Sequence, residues 1–216
     1  LSAEAKTCVY VALDGKARGI ISVSDPVKKT SGSAVASMIS LGVAPIMVTG
    51  DNGDTALAVG RTVGIADIRY GAMPKDKIDI VKELQIKQKT VAMVGDGIND
   101  APALTQANVG MAVGSGTDIA IGAADVVLMN TDLRTVPTVL EIGRATVRNI
   151  RQNLFLAFVY NAICIPIAAG LPYILGMGEF THMPMLAAAA MACSSLSVTA
   201  NALRLGRFEP GSITHE

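Results

Sequence analysis

The chain has 216 residues, of which 18 are Lys or Arg and 18 are Asp or Glu, so its formal net charge is zero. This balance excludes a nucleic-acid binder, which would carry an excess or a stripe of basic residues. Hydrophobic residues make up 50 % of the chain and charged residues 17 %, which excludes a disordered protein. The three cysteines, without a C-x-x-C spacing, predict neither a disulfide framework nor a zinc cluster. The mean hydropathy of +0.45 is high for a soluble domain, so we expect part of the chain to lie in lipid.

The first 150 residues predict an α/β fold. A hairpin comes first, because Asp14-Gly15 is a turn signal between two apolar runs. The predicted strands that follow are Val43–Val48, Val91–Val94, Val109–Val113 and Val126–Met129, and the predicted helices are Ser31–Leu41, Asp54–Val63, Lys75–Gln88 and Asp100–Ala107. This alternation predicts βαβ units, a largely parallel sheet and helices on both of its faces. Such a sheet binds its ligands at the carboxyl ends of the strands.

The loop after the first of these parallel strands has the composition of a phosphate cradle. It reads Thr49-Gly50-Asp51-Asn52, in which Gly50 permits a tight turn and Thr49 offers a hydroxyl, and a helix follows. Ordinary turn chemistry is the alternative, since Thr, Gly and Asp are common in turns.

The loop after Val91–Val94 predicts a magnesium site. It reads Gly95-Asp96-Gly97-Ile98-Asn99-Asp100, and Mg²⁺ prefers one or two carboxylates together with phosphate oxygens. Asp100 is also a candidate N-cap, with Pro102 in the first turn of the next helix, so a capped loop is the alternative. Lys77, at the start of the preceding helix, could neutralise phosphate charge.

The C-terminal third predicts a hairpin of two membrane spans. Apart from Glu179, residues 152–203 contain no Asp, Glu, Lys or Arg. We expect spans at Leu154–Leu175, kinked by its prolines, and at Pro184–Leu203, because a helix needs about 20 residues to cross a bilayer. The arginines that flank the hairpin (Arg148, Arg151, Arg204 and Arg207) predict that both of its ends face the cytoplasm. A helix at Leu133–Ile150 is expected to run into the first span. Two buried helices of a soluble protein are the alternative.

Polar residues within the predicted spans indicate a transport path. Tyr160, Asn161 and Cys164 share one helical face, and Met191 and Ser195 share a face of the second span. A thioether selects soft Cu(I), although methionine and serine are also common in ordinary helix packing.

Together these motifs resemble the phosphorylation domain of a P-type ATPase, a member of the haloacid-dehalogenase-like superfamily. The motifs are Asp25-Pro26-Val27-Lys28, Thr49-Gly50-Asp51, Lys77 and the run 95–102. The resemblance implies an α/β haloacid-dehalogenase-like (Rossmann-like) phosphorylation domain at 1–148, an α-helical transmembrane hairpin at 149–205 and a cytoplasmic tail at 206–216.

The resemblance also implies roles for the loop residues in phosphoryl transfer from ATP to an aspartate. Asp96 would bind Mg²⁺, Asp100 would lie in the second shell of that ion, and Asn99 would hold the loop. Thr49, Gly50 and Asp51 would contact the phosphoryl group, Lys77 would balance its charge, and Asp25 and Lys28 would bind the nucleotide cofactor.

The family's nucleophile lies in an Asp-Lys-Thr-Gly-Thr run, and this sequence contains none. Neither the actuator motif nor the His-Pro motif of the nucleotide-binding domain is present. We therefore expect these parts, with the earlier membrane helices, to lie upstream of Leu1, and the chain alone to be inactive.

The last two predicted helices resemble those of copper(I)-exporting ATPases. Tyr160-Asn161, Met191 with Ser195, and the run 197–205 carry this resemblance, and the intramembrane Lys and Asp of zinc and cadmium pumps are missing. It implies an integral protein of a bacterial plasma membrane that exports Cu(I) or Ag(I), with Mg²⁺ and ATP as cofactors. The implied partners are lipid, the missing domains and a copper chaperone. Another cation pump, a membrane-anchored phosphatase and a non-catalytic module are the alternatives.

Overall fold

The computed structural model describes residues 7–23, 26–114, 118–176 and 183–211. The chain divides into two compact units, which part between Pro137 and Thr138. The domain boundary that the sequence suggests after residue 148 stays a prediction.

The first unit begins with the predicted hairpin. β1 (Thr7–Leu13) pairs antiparallel with β2 (Lys16–Val23). Asp14 and Gly15 connect the two strands with φ of 54° and 73°. Both residues therefore lie in the left-handed region that a tight two-residue hairpin turn requires, and this prediction is confirmed.

The rest of the first unit alternates helices and parallel strands, as predicted. The helices are α1 (Ser31–Ser40), α2 (Gly53–Val63), α3 (Pro74–Ile86), α4 (Ala101–Gln106) and α5 (Asp118–Ala123), and the strands are β3 (Ile46–Val48), β4 (Asp67–Arg69), β5 (Ala92–Gly95), β6 (Val109–Val113) and β7 (Val126–Leu128). Among the described residues, Leu104 of α4 and Met111 of β6 are the largest fully buried side chains, and they lie in the core of this unit. The sequence did not predict β4 or α5. In β4 a single apolar residue, Ile68, stands between two charged ones, so the segment lacks the apolar run by which the other parallel strands were predicted.

Within the described residues the parallel strands form two sheets. β3 pairs with β4, while β5, β6 and β7 form a second sheet in that order. Within the described residues, no strand pairs with the other edge of β3 or of β5. Such an edge presents backbone donors and acceptors with which a further strand can pair.

The second unit is helical. α6 (Thr135–Ala168) is one helix of 34 residues, which confirms that the helix predicted at 133–150 continues into the apolar segment. Of the described part of the chain, α6 is the helix that is long and apolar enough to cross a membrane.

The first predicted span does not extend as one helix to residue 175. α6 ends at Ala168, and Gly170, with φ of 91°, separates it from α7 (Leu171–Ile174). Glycine adopts this backbone conformation without strain. Pro172 lies in the first turn of α7, where no intrahelical N–H bond is lost. α8 (Met183–Leu205) covers the second predicted span with 23 residues, and its passage through a membrane stays a prediction.

Candidate functional site

A cleft at the carboxyl end of β5 brings together residues from several elements of the first unit. Its volume is about 320 Å³, and its lining residues are Val48, Lys77, Met93, Val94, Gly95, Asp96, Asp100 and Val113. Three side chains that the sequence singled out, those of Lys77, Asp96 and Asp100, therefore share one concave surface. Its position agrees with the rule that parallel sheets bind ligands at the carboxyl ends of their strands.

Lys77 and Asp100 form an ion pair within this cleft. The distance from Lys77 Nζ to Asp100 Oδ1 is 2.7 Å, and the side chains are 18 % and 11 % exposed. Partial burial strengthens the attraction, because less water screens the two charges. Asp100 also occupies the N-cap position of α4, but its side chain makes no capping hydrogen bond. The predicted side-chain cap is therefore wrong, since the carboxylate accepts a hydrogen bond from Lys77 instead.

The glycine before Asp96 allows the loop to close tightly. A Cβ atom added at Gly95 would lie 2.8 Å from Asp100 Cβ and 2.9 Å from Asp100 Oδ2, closer than real Cβ contacts come. Glycine at this position therefore lets a nearly buried Asp100, which is 7 % exposed, pack against the end of β5. Asp96 and Asn99 of the same loop are exposed.

The donor set of the cleft fits a magnesium ion that is shared with phosphate. Within the described residues no three His, Cys, Asp or Glu side chains come together, so an all-protein metal cage is absent there. Asp96 offers an exposed carboxylate, while Asp100 is engaged by Lys77. Mg²⁺ commonly uses one or two carboxylates and takes its other ligands from phosphate and water.

The Thr49 loop follows β3 and is braced by its own hydrogen bonds. The Thr49 hydroxyl donates to Asp51 Oδ2 at 2.8 Å, and the Asp51 N–H donates back to that hydroxyl oxygen at 3.1 Å. The Gly71 N–H donates to the Asp51 carbonyl at 2.9 Å. Asn52 caps α2, because its Oδ1 accepts from the Thr55 N–H at 3.0 Å. The loop thus holds the Thr49 hydroxyl at the carboxyl end of a strand whose last residue, Val48, lines the cleft.

The two residues that the resemblance assigns to the nucleotide do not join this cluster. Asp25 lies outside the described residues. The Lys28 ammonium donates to the Thr131 carbonyl at 2.9 Å, shortly before the start of α6. Lys28 does not line the cleft.

The carboxyl next to this contact has a perturbed pKa. The hydrogen bond from the Arg134 guanidinium lowers the pKa of Asp132 below its ordinary value, and the Arg134 N–H and the Thr30 hydroxyl lower it further. The Arg134 Nη2–Asp132 Oδ2 distance is 2.8 Å. The segment before α1 is thus attached by polar contacts to the segment before α6.

The candidate metal-binding residues of the second unit occupy different environments. The Tyr160 hydroxyl lies 3.4 Å from Ser197 Oγ of α8, so Tyr160 is located between the two helices. The exposed Asn161 donates from its amide to the Ala157 carbonyl one turn earlier, at 3.0 Å. Met191 is 70 % exposed, and Ser195 is exposed as well. Their roles as ligands stay predictions.

Three asparagines at the other end of the helical pair were not predicted to matter. The Asn149 amide donates to the Asn201 carbonyl at 2.7 Å, Asn153 donates to Asn149 Oδ1 at 3.1 Å, and Asn201 donates to Asn153 Oδ1 at 2.8 Å. The available signal was the four-residue spacing of Asn149 and Asn153, which puts both on one face of a helix.

Family models described as haloacid dehalogenase-like hydrolase match residues 1–108 and residues 78–140. The chain belongs to the haloacid dehalogenase-like family. Within that family it is similar to metal-transporting P-type ATPases, as the following relatives show.

The chain is 51 % identical over 205 residues to copper-transporting ATPase 1 of Rhizobium meliloti (strain 1021). The matched region covers 95 % of this chain and 25 % of that protein. It is 47 % identical over 206 residues to the silver exporting P-type ATPase of Salmonella typhimurium, again covering 95 % of this chain and 25 % of the relative. A crystal structure of a zinc-transporting PIB-type ATPase in an E2.Pi state matches with a TM-score of 0.78 and 38 % identity, over 94 % of this chain and 32 % of that one. The predicted resemblance and fold class are confirmed, and the chain spans a quarter of the length of these two curated relatives.

Proposed function

We propose that this chain is the C-terminal part of a Cu(I)-exporting P-type ATPase and contributes most of its phosphorylation domain and its last membrane helices. The observation that carries the proposal is the grouping of Lys77, Asp96 and Asp100 in one cleft, in a chain that is 51 % identical to a copper-transporting ATPase. Ag(I) is the second candidate cargo, because a relative at 47 % identity is a silver exporter.

The nucleophile is proposed to come from a part of the protein outside this sequence. Val48 of β3 and Met93 and Val94 of β5 line the cleft, and both strands have an unpaired edge within the described residues. A strand that runs parallel to β3 and β5 and pairs with both would end beside Lys77 and Asp96, because parallel strands end at the same side of a sheet. An aspartate at the end of that strand, in an Asp-Lys-Thr-Gly-Thr run, would reach the cleft.

The reaction has two balanced steps. A carboxylate oxygen of the nucleophilic aspartate attacks the γ-phosphorus of ATP, the bond to the bridging oxygen breaks, and ADP leaves with the electron pair. Water then attacks the phosphorus of the aspartyl phosphate, which releases inorganic phosphate and restores the carboxylate.

The residues of the cleft would support both steps through electrostatics. The Lys77 ammonium, oriented by Asp100, would balance the charge of the phosphoryl oxygens. The Thr49 hydroxyl would turn its one proton from Asp51 Oδ2 to a phosphoryl oxygen when phosphate binds. Asp96 would hold Mg²⁺, which supplies further charge neutralisation when bound. Gly50 and Asp51 keep the Thr49 loop in shape.

The helical unit would hold the transported ion. Tyr160, Asn161, Met191 and Ser195 are the proposed ligands, and the Met191 thioether favours Cu(I) over harder cations. The flanking arginines favour a cytoplasmic location for both ends of the hairpin and for the phosphorylation domain, in a bacterial plasma membrane. Lipid and a copper chaperone would be further partners of the whole protein.

The test is the cation dependence of phosphorylation in the full-length protein. With ATP and Mg²⁺, we expect an acid-stable, hydroxylamine-sensitive phosphoenzyme whose turnover rises with Cu(I) and falls when a Cu(I) chelator is added. Asp96→Asn should abolish phosphorylation, whereas Asp118→Asn, at an exposed carboxylate of α5, should leave it intact. Turnover that responds to Zn²⁺ or K⁺ but not to Cu(I) would contradict the proposed cargo.

A further inference from the structure

The three asparagines described above form a closed hydrogen-bonded arrangement between α6 and α8, which we call the asparagine ring. Asn153 donates to Asn149, Asn149 donates to the backbone carbonyl of Asn201, and the Asn201 side chain donates to Asn153. Each amide of the ring therefore donates one hydrogen bond to the next member. Asn149 is 7 % exposed, so water does not compete for its contacts.

We infer that Asn149, Asn153 and Asn201 are positioning residues that fix the register of α8 against α6. They thereby set the position of Met191 along the axis of α6. The inference rests on the proposed function, in which Met191 binds the transported metal ion. Polar side chains that pair between apolar helices specify register, because a slipped pair leaves amide groups without partners in a non-polar medium.

The other contacts between the helices agree with one antiparallel register. Asn153 contacts Asn201, and Tyr160, which comes later in α6, contacts Ser197, which comes earlier in α8. At the end of the pair near the ring, the Arg204 guanidinium donates to Gln152 at 2.8 Å.

This register determines which part of α6 lies beside Met191. Counting ten residues from the Asn153–Asn201 contact along both helices leads to Ile163 and Met191. Counting six residues from the Tyr160–Ser197 contact leads to Pro166 and Met191. Met191 therefore lies at the height of residues 163–166, about one helical turn beyond Asn161.

A change of register would separate the candidate ligands. One turn of helix is about 5.4 Å, more than twice the length of a bond from a metal to sulfur or nitrogen. The alanines at 188–190 of α8 present no side chain large enough to oppose such sliding. By this inference, the hydrogen bonds of the ring, together with the Tyr160–Ser197 and Arg204–Gln152 contacts, hold Met191 and Asn161 at a fixed separation.

The register can be measured without reference to copper. Phe155 and Met185 are 67 % and 75 % exposed, so each can be replaced by a ketone-bearing amino acid in the full-length protein. Nitroxide labels attached to the ketones leave every cysteine in place. We expect a narrow distance distribution between the labels in the parent protein and a broad one in Asn149→Leu. Thr199→Val is the matched control, because among the described residues the Thr199 hydroxyl bonds within α8, to the Ser195 carbonyl at 2.8 Å. Should Asn149→Leu not fold, Asn153→Ser takes its place.

The functional arm measures the affinity for Cu(I) by competition with a chelator, alongside phosphorylation by inorganic phosphate. We expect the Kd of Asn149→Leu to rise about tenfold, a loss of roughly 1.4 kcal/mol, while phosphorylation by inorganic phosphate is retained and Thr199→Val resembles the parent. An unchanged label distribution, or an unchanged Kd despite a broadened distribution, overturns the inference. A parent protein that binds no Cu(I) would contradict the proposed function instead, and the label distances would still report on the ring.

Discussion

Lys77 and Asp100 lie 23 residues apart in the chain, and their side chains meet at 2.7 Å in the cleft beside Asp96. The pair links the first turns of α3 to the loop after β5. It also gives the cleft a cation whose position is fixed before any phosphate arrives. Catalysis by fixed charges depends on such preorganisation, because no reorganisation is then needed during the reaction.

Removing this cation should impair both chemistry and stability. In full-length Lys77→Ala we expect phosphorylation by inorganic phosphate to fall about 100-fold, the usual effect of losing one fixed electrostatic donor. We also expect a loss of about 2 kcal/mol in stability, since Asp100 keeps a nearly buried charge without its partner. Lys82→Ala, at an exposed lysine of the same helix, should change neither quantity. Equal effects of the two variants would be inconsistent with the role of the pair.

The close approach at Gly95 predicts that even a methyl group is harmful. Gly95→Ala brings a Cβ atom to within 2.9 Å of the Asp100 carboxylate, and we expect it to displace Asp100 and to cost about 1–3 kcal/mol through overpacking. Phosphorylation should fall with it. Gly143→Ala is the control, because nothing lies within 4 Å of a Cβ at that helical position. Wild-type phosphorylation in Gly95→Ala would rule out the tight loop geometry.

The Thr49 hydroxyl should be needed as a hydroxyl and not as a side chain of a particular shape. Thr49→Val removes the contacts with Asp51 at 2.8 and 3.1 Å and, by our proposal, a donor to the phosphoryl group. We expect phosphoenzyme formation to drop at least about tenfold, the equivalent of one lost hydrogen bond of about 1.4 kcal/mol. Thr49→Ser keeps the hydroxyl and should retain most of the rate. If serine were as harmful as valine, the hydroxyl alone could not explain the role of Thr49, and this part of the proposal would be wrong.

Asp132 predicts an acid-dependent loss of stability. Its pKa is lowered in the folded state by the Arg134 guanidinium, the Arg134 N–H and the Thr30 hydroxyl. A carboxyl whose pKa is lower in the folded than in the unfolded protein stabilises the fold at every pH above the unfolded-state pKa, here 3.8. This stabilisation is lost as the pH falls through the pKa of the folded state. The Tm of the full-length protein should therefore exceed that of Asp132→Asn near pH 7, and the difference should shrink below pH 4. Asp79→Asn, at an exposed carboxylate of α3, should change the Tm near pH 7 by less than Asp132→Asn does.

The sequence predicted which loops contribute side chains to the cleft, because the turn residues that follow each strand stand within a few positions of one another. Gly95, Asp96 and Asp100 stand in one short run, and Thr49-Gly50 follows an apolar strand directly. The structure adds what depends on distant residues. Nothing in the run 95–102 indicates that the Asp100 carboxylate accepts from Lys77 and leaves α4 without a side-chain cap.

Other features escaped prediction for different physical reasons. The interruption at Gly170 follows from a positive φ that a charge-free apolar run does not reveal. The separation into two sheets depends on which strands pair, and local periodicity carries no information on pairing. The asparagine ring combines residues about 50 positions apart, and on sequence alone its members look like ordinary polar residues near the ends of two helices.

The most direct test of the central claim is ATP-driven uptake of Cu(I) into sealed vesicles that contain the full-length protein. Wild type and Met185→Ala, an exposed methionine of the same helix, should transport at similar rates, whereas Met191→Ala should lose transport and keep phosphorylation by inorganic phosphate. Transport by Met191→Ala at the wild-type rate would contradict the account, because the thioether proposed to bind Cu(I) would then be dispensable.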